Sequence, residues 1–162
     1  MRCNDPQMGR NMVSRVNDAI TLFESGYNCA QSVFAAYADL LGMDQKTALK
    51  ISCPMGAGMG RMREICGAVS AMSMLLGLKE GNTDVNDQEA KQRVYEKTRQ
   101  MADRFKEESG SIICRELLGM EEREESAAPT VRTAAFYESR PCKKLVEKAA
   151  RIIEDIIFED ME

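Results

Sequence analysis

Six cysteines stand in a chain of 162 residues that has no histidine and no tryptophan. They are the densest chemistry it carries, and four of them share a local setting. Cys29 follows Asn28, a residue type that caps helix N-termini, with Gln31 placed to complete a capping box. Cys66 stands where a glycine-punctuated loop (Gly56, Gly58, Gly60) passes Arg61 and Arg63 and turns into an apolar, helical run. Cys114 and Cys142 each lie three residues after a serine, Ser111 and Ser139, that reads as a cap. All four are therefore expected in the first turns of separate helices. There unpaired N–H groups and the helix dipole favour a thiolate, the nucleophilic and metal-ligating form of cysteine. Arg115, Lys143 and Lys144 add positive charge. Cys66, with two arginines before it and the bare Gly67 after it, is expected to be the most easily alkylated thiol, and Cys142 the next. Cys53, at a helix C-terminal end before Pro54, is expected to be slow and at most accessory. Cys3 is read as incidental.

If these helix starts converge, the cluster supports three readings. The thiols cycle between dithiol and disulfide, as a sensor or electron carrier. They hold zinc or an iron–sulfur cluster through four thiolates. Or they are inert packing in a helical adaptor, since a lone cysteine is most often a small buried apolar residue. On the first two readings Cys29, Cys66, Cys114 and Cys142 are the catalytic, cofactor-binding or metal-ligating set, and Gly58 and Gly60 line the same site.

The absences narrow the field. Without histidine there is no Cys-His or Ser-His nucleophilic dyad and no imidazole ligand. No C-x-x-C occurs, which disfavours a thioredoxin-like site and a zinc ribbon. The Gly56-x-Gly58-x-Gly60 run has neither a preceding strand nor a following G-K-[ST], so it is not a phosphate loop. Met55, Met59, Met62, Met72 and Met74 are soft ligands in principle, but methionines at such spacing are commonly adaptable core filler.

The elements that must position the thiols are helical throughout. Apolar residues recur with helical spacing over Met12–Phe23, Cys29–Leu41, Gln45–Ser52, the run from Cys66 to Gly77, Asp87–Glu108, a short turn at Cys114, and a last helix from Pro141-Cys142 onward. No strand-like alternation and no repeat is present. The expectation is an all-α, compact single-domain bundle over residues 1–162, with about five main helices and one or two short ones. Residues 1–8 are expected to be a loose end and residues 120–138 a mobile loop.

A net charge of −4 gives no electrostatic case for nucleic acid or an anionic membrane. No apolar run is long enough to cross a bilayer, and the N-terminal stretch has no apolar core like that of a secretory leader. The chain is expected to be cytoplasmic, where cysteines serve metal or redox chemistry more often than disulfide frameworks. A homo-oligomer is compatible with the sequence.

Asn28-Cys29-Ala-Gln-Ser-Val33, Gly56-x-Gly58-Met-Gly60, Cys66-Gly-Ala68, Arg104-Phe105, Ser111-Ile-x-Cys114-Arg-Glu-Leu-Leu-Gly119 and the late Cys142 together resemble the C_GCAxxG_C_C family. This is a bacterial and archaeal group described as redox-active. The resemblance spans roughly residues 10–158. It implies that the family's four characteristic cysteines fall on Cys29, Cys66, Cys114 and Cys142. It also implies an oxidoreductase or transporter partner, from the genes that neighbour family members, and a bound prosthetic group. Where the family motif ends in glycine this chain has Ala71, a difference of one methyl that bears on helix packing more than on thiol chemistry.

Overall fold

The segment Cys29–Tyr37 carries three alanines and a serine among nine residues, and small side chains let neighbouring helices approach closely. In the computed structural model, which describes residues 12–161, this segment is the central helix. Eight α-helices follow one another, with three short 3₁₀ turns and no strand among the described residues: α1 (Val16–Glu24), α2 (Cys29–Tyr37), α3 (Gln45–Ser52), α4 (Gly67–Glu80), α5 (Gln88–Ser109), α6 (Cys114–Leu117), α7 (Ala134–Ser139) and α8 (Cys142–Ile156). The all-α expectation holds. Helices α1, α2, α4, α5 and α8 make the body, with α3 and α6 as the short elements expected between them. The end at residues 1–8, Cys3 included, lies outside the described residues.

Helices α1, α3, α4 and α8 pack around α2, and α5 closes the bundle against α4 and α8. α8 is strongly two-faced. Leu145, Val146, Ala149, Ile152, Ile153 and Ile156 turn inward, while Lys143, Lys144 and Arg151 face water. Burying a Leu, Ile or Phe side chain contributes roughly 1.5–3 kcal/mol, so this face supplies much of the force that closes the bundle. α5 buries only Met101 and Phe105 over its 22 residues. Its outer face is tied down by pairs such as Arg104 with Asp155 at 2.7 Å. The one buried phenol, Tyr37, donates to Glu154 Oε1 at 2.7 Å, which satisfies it inside the core.

Two local expectations are corrected, the end of α4 and the caps of α6 and α8. α4 does not stop at Gly77 but runs on to Glu80. The stretch 120–138 has no helix or strand until α7 begins at Ala134. Thr133 Oγ1 caps that helix by accepting from the Phe136 N–H at 3.1 Å. Tyr137 meets Phe23 edge-on, with ring centroids 5.8 Å apart. Ser111 and Ser139 are not caps: α6 starts after Ile113 and α8 after Pro141, neither with a side-chain cap, and Ser139 is the last residue of α7.

Candidate functional site

The thiols are brought together by how the loop 53–66 is built. The capping box at Asn28 forms as expected: the Gln31 N–H donates to Asn28 Oδ1 at 2.9 Å and the Asn28 N–H to Gln31 Oε1 at 3.1 Å. The Asn28 amide then donates to the Cys53 carbonyl at 3.0 Å, fastening the loop's start to the first turn of α2. From there the backbone is left-handed at Ala57, Gly58, Met59, Gly60 and Arg61, with φ between 54° and 72°, and again at Arg63 with φ of 60°. Non-glycine residues held there cost roughly 1–2 kcal/mol each, so the surroundings must enforce the shape. They do so partly through a strip of antiparallel pairing with residues 112–115. The Cys66 N–H donates to the Ile112 carbonyl at 2.8 Å, the Cys114 N–H to the Glu64 carbonyl at 2.6 Å, and the Arg115 N–H to the Arg63 carbonyl at 3.1 Å. This strip sets Cys66 and Cys114 on adjacent strands of chain.

Glycines allow the closest approaches. A Cβ on Gly67 would lie 2.5 Å from Cys29 Sγ, so a bare first residue of α4 is what admits that sulfur. A Cβ on Gly58 would lie 2.7 Å from the Cβ of Cys114 and 2.6 Å from the Cα of Arg63. Gly58 therefore backs the cysteine rather than lining the site, while Gly60 does line it.

The result is a cavity of about 370 Å³ whose wall includes Cys29, Cys66, Cys114 and Cys142, each from a different element. Cys53, ranked as accessory from the sequence, lines it as well and is exposed. All five of these thiols are free. Arg61, Arg63, Arg132 and Arg140, with Asn28 and Thr130, make the polar wall, no carboxylate lines it among the described residues, and Phe23, Leu117, Leu118, Phe136 and Leu145 make its apolar side.

The electrostatics differ from the expectation built on helix dipoles. Cys66 is only 5% exposed, and burial pushes its thiol well above the ordinary value. Cys29 pushes the same way, and the Ala68 and Val69 amides of α4 pull it back only in part. Arg61 and Arg63 do not serve Cys66. Arg61 donates to the Ser126 carbonyl at 2.8 Å and the Thr130 hydroxyl at 3.1 Å. Arg63, 4% exposed, donates from Nη1 to Cys114 Sγ at 3.8 Å. Cys114 is raised by burial but drawn down by that contact and the guanidinium charge. Burial, with Cys29 and Cys114, pushes Cys142 up to about 12. The cations that oppose this are Arg140 and Arg132, not Lys143, which pairs with Glu24, or the exposed Lys144. Cys66 is thus corrected from the most activated thiol to one that burial keeps protonated, because desolvation outweighs one helix end. Like-charge repulsion from Cys29 is among the causes that raise Cys66, Cys114 and Cys142.

As a metal set the four cysteines do not fit. Among the described residues no group of three or more Cys, Asp or Glu side chains is gathered closely enough to hold a metal ion. A Zn–S bond is about 2.3 Å, so a tetrahedral site would need all four sulfurs gathered at that distance from one centre. The sequence pattern could reveal helix starts but not this spacing. It also missed Arg132 and Arg140, whose only signal was their place beside Phe136 and Tyr137.

The fold and site define an all-helical protein with a thiol- and guanidinium-lined cavity, and no described helix is long and apolar enough to cross a membrane. Residues 27–156 match the family described as "Putative redox-active protein (C_GCAxxG_C_C)", and the chain belongs to that family. No curated protein and no solved structure matches it.

Proposed function

We propose that the chain is a thiol–disulfide redox protein in which Cys114 attacks and Cys29 closes the new bond. The carrying observation is the placement of four thiols on one cavity, with Cys29 in electrostatic reach of the other three. Cys114 is the thiol in contact with a guanidinium, so Arg63 steadies the negative charge that its sulfur must carry to act as a nucleophile. The Cys114 thiolate attacks one sulfur of a disulfide R–S–S–R, forming a mixed disulfide and releasing one thiol. Cys29 then attacks the Cys114 sulfur and releases the second thiol, leaving a Cys29–Cys114 disulfide. Two electrons pass from the two cysteines to the bond that is cleaved, and their two protons leave on the product thiols. Cys66 and Cys142, held protonated by burial, form the wall beside the pair.

On this reading the oxidoreductase or transporter partner implied by the family is the source or sink of these electrons. A zinc or iron–sulfur role for the same cysteines has no gathered ligand set behind it.

The test is an anaerobic titration in dithiothreitol redox buffers, with thiols counted and cross-links mapped by peptide mass spectrometry. Loss of two thiols per chain, with Cys29 joined to Cys114, is the expected result. Retention of every free thiol under oxidising buffer would overturn the proposal and leave the adaptor with inert cysteines.

A further inference from the structure

We infer that the disulfide this cavity accepts is a small organic one bearing carboxylates, anchored by Arg140 and its neighbouring guanidiniums. This deepens the redox reading above and rests on it.

The chain carries a net charge of −4, yet among the described residues four arginines and no carboxylate line the cavity. Three of the four are engaged. Arg61 and Arg63 share Glu124 at 3.6 and 3.7 Å. Arg132 donates to the Tyr27 carbonyl at 3.1 Å and lies over the Phe23 and Phe136 rings. Even so, the Nε atoms of Arg61 and Arg63 are buried with no hydrogen-bond partner. Arg140 stands apart. Its guanidinium lies 5.3 Å from the Phe136 ring centroid and makes no side-chain hydrogen bond or ion pair among the described residues. Its charge reaches both Cys114 and Cys142. A half-buried cation without an anion, beside two thiols, calls for a negative group on the ligand.

Size and lining decide what kind of anion. A cavity of about 370 Å³ falls at the lower end of ordinary small-molecule sites, roughly 300–1,000 Å³. An inorganic oxyanion would leave most of it empty. The apolar side made by Phe23, Leu117, Phe136 and Leu145 suits methylene groups between carboxylate and sulfur. The mouth is rimmed by exposed residues such as Cys53 and Pro129, so a ligand of this size can enter from solvent.

The test compares two disulfides with the same reactive bond. One is 3,3′-dithiodipropionate, a dianion, and the other is bis(2-hydroxyethyl) disulfide, which is neutral. The wild-type protein should be oxidised by the dianion at roughly a tenth of the concentration needed for the neutral compound, a factor in the range of one charge-assisted contact. The protein's net charge works against that preference, so only the cavity can supply it. Arg140→Gln should abolish the preference, Arg140→Lys should keep part of it, and added salt should erode it. Suberate, which replaces the two sulfurs by methylenes, should bind the wild type in calorimetry and not Arg140→Gln. Equal reactivity of the two disulfides, or no binding of suberate, overturns the carboxylate inference while the redox reading stands. Suberate binding with no oxidation by either disulfide overturns the redox reading instead.

Discussion

Gly67→Ala and Gly77→Ala add the same methyl group to the same helix, α4, and should shift stability in opposite directions. At Gly77 nothing lies within 4 Å of the added carbon. The alanine there removes only the backbone freedom of the unfolded chain, worth roughly 0.5–1 kcal/mol. At Gly67 the carbon would sit 2.5 Å from Cys29 Sγ, 2.9 Å from the Met55 carbonyl oxygen and 3.1 Å from the Cβ of Ala30. Only the first of these ends a side chain that can turn. The other two belong to the loop backbone and to α2, so relief requires moving α4 away from both. Overpacking of this kind costs about 1–3 kcal/mol, and the alanine's helix preference returns less than about 1 kcal/mol of it. For a chain of this size each kcal/mol moves Tm by about 2–4 °C, so Gly67→Ala should melt several degrees below wild type and Gly77→Ala a few degrees above. Circular dichroism melts of the reduced proteins read both. Alkylation of Cys29 should also quicken in Gly67→Ala, because its sulfur is the group that gives way first. Gly67→Ala melting at or above wild type would refute the account of how α4 meets α2.

Three further outcomes follow from the thiol environments. In timed alkylation of the reduced protein, Cys53 should label first among the described thiols and Cys66 and Cys142 last, as read by peptide mass spectrometry. Arg63→Gln should move the pH–rate profile of Cys114 alkylation to higher pH, because the contact that lowers that thiol is lost. Cys142 is raised in the folded state to about 12, so its contribution is intact below the ordinary thiol value of about 8.5 and is lost as pH rises toward 12. By pH 10 this amounts to about 2 kcal/mol, and denaturant unfolding of Cys142→Ala should lose stability less steeply over that range than wild type.

The helices were legible because burial writes itself into spacing: the inward face of α8 and the capping box at Asn28 can be read residue by residue. The stretch that holds α7 was not, since Phe136 and Tyr137 interrupt a charged and small-residue segment whose order comes from Phe23, more than a hundred positions away. The grouping of Cys29, Cys66, Cys114 and Cys142 followed from local helix starts, yet their protonation did not. A first turn supplies the same amides wherever it lies, whereas desolvation depends on what the rest of the chain stacks over it. For Cys66 that second effect is the larger. The same limit hid the arginines: Arg63 reaches a cysteine 51 residues further on, a pairing no local pattern encodes.

The left-handed loop also has a consequence for the order in which the chain folds. Its shape is unfavourable by itself and is held by residues 112–115, which lie beyond the whole length of α5. Contacts that close so long a segment form late, after local helices have already gained their own contacts. The bundle of α1, α2 and α4 should therefore collapse first, and the thiol cavity should be the last region to become native. Pulse-labelled hydrogen exchange during refolding should find the amides of Cys66, Cys114 and Arg115 protected only after those of α2. The same order implies that Cys29, set against Gly67 by the early packing of α2 on α4, meets Cys114 only after a ribosome has delivered the chain past α6.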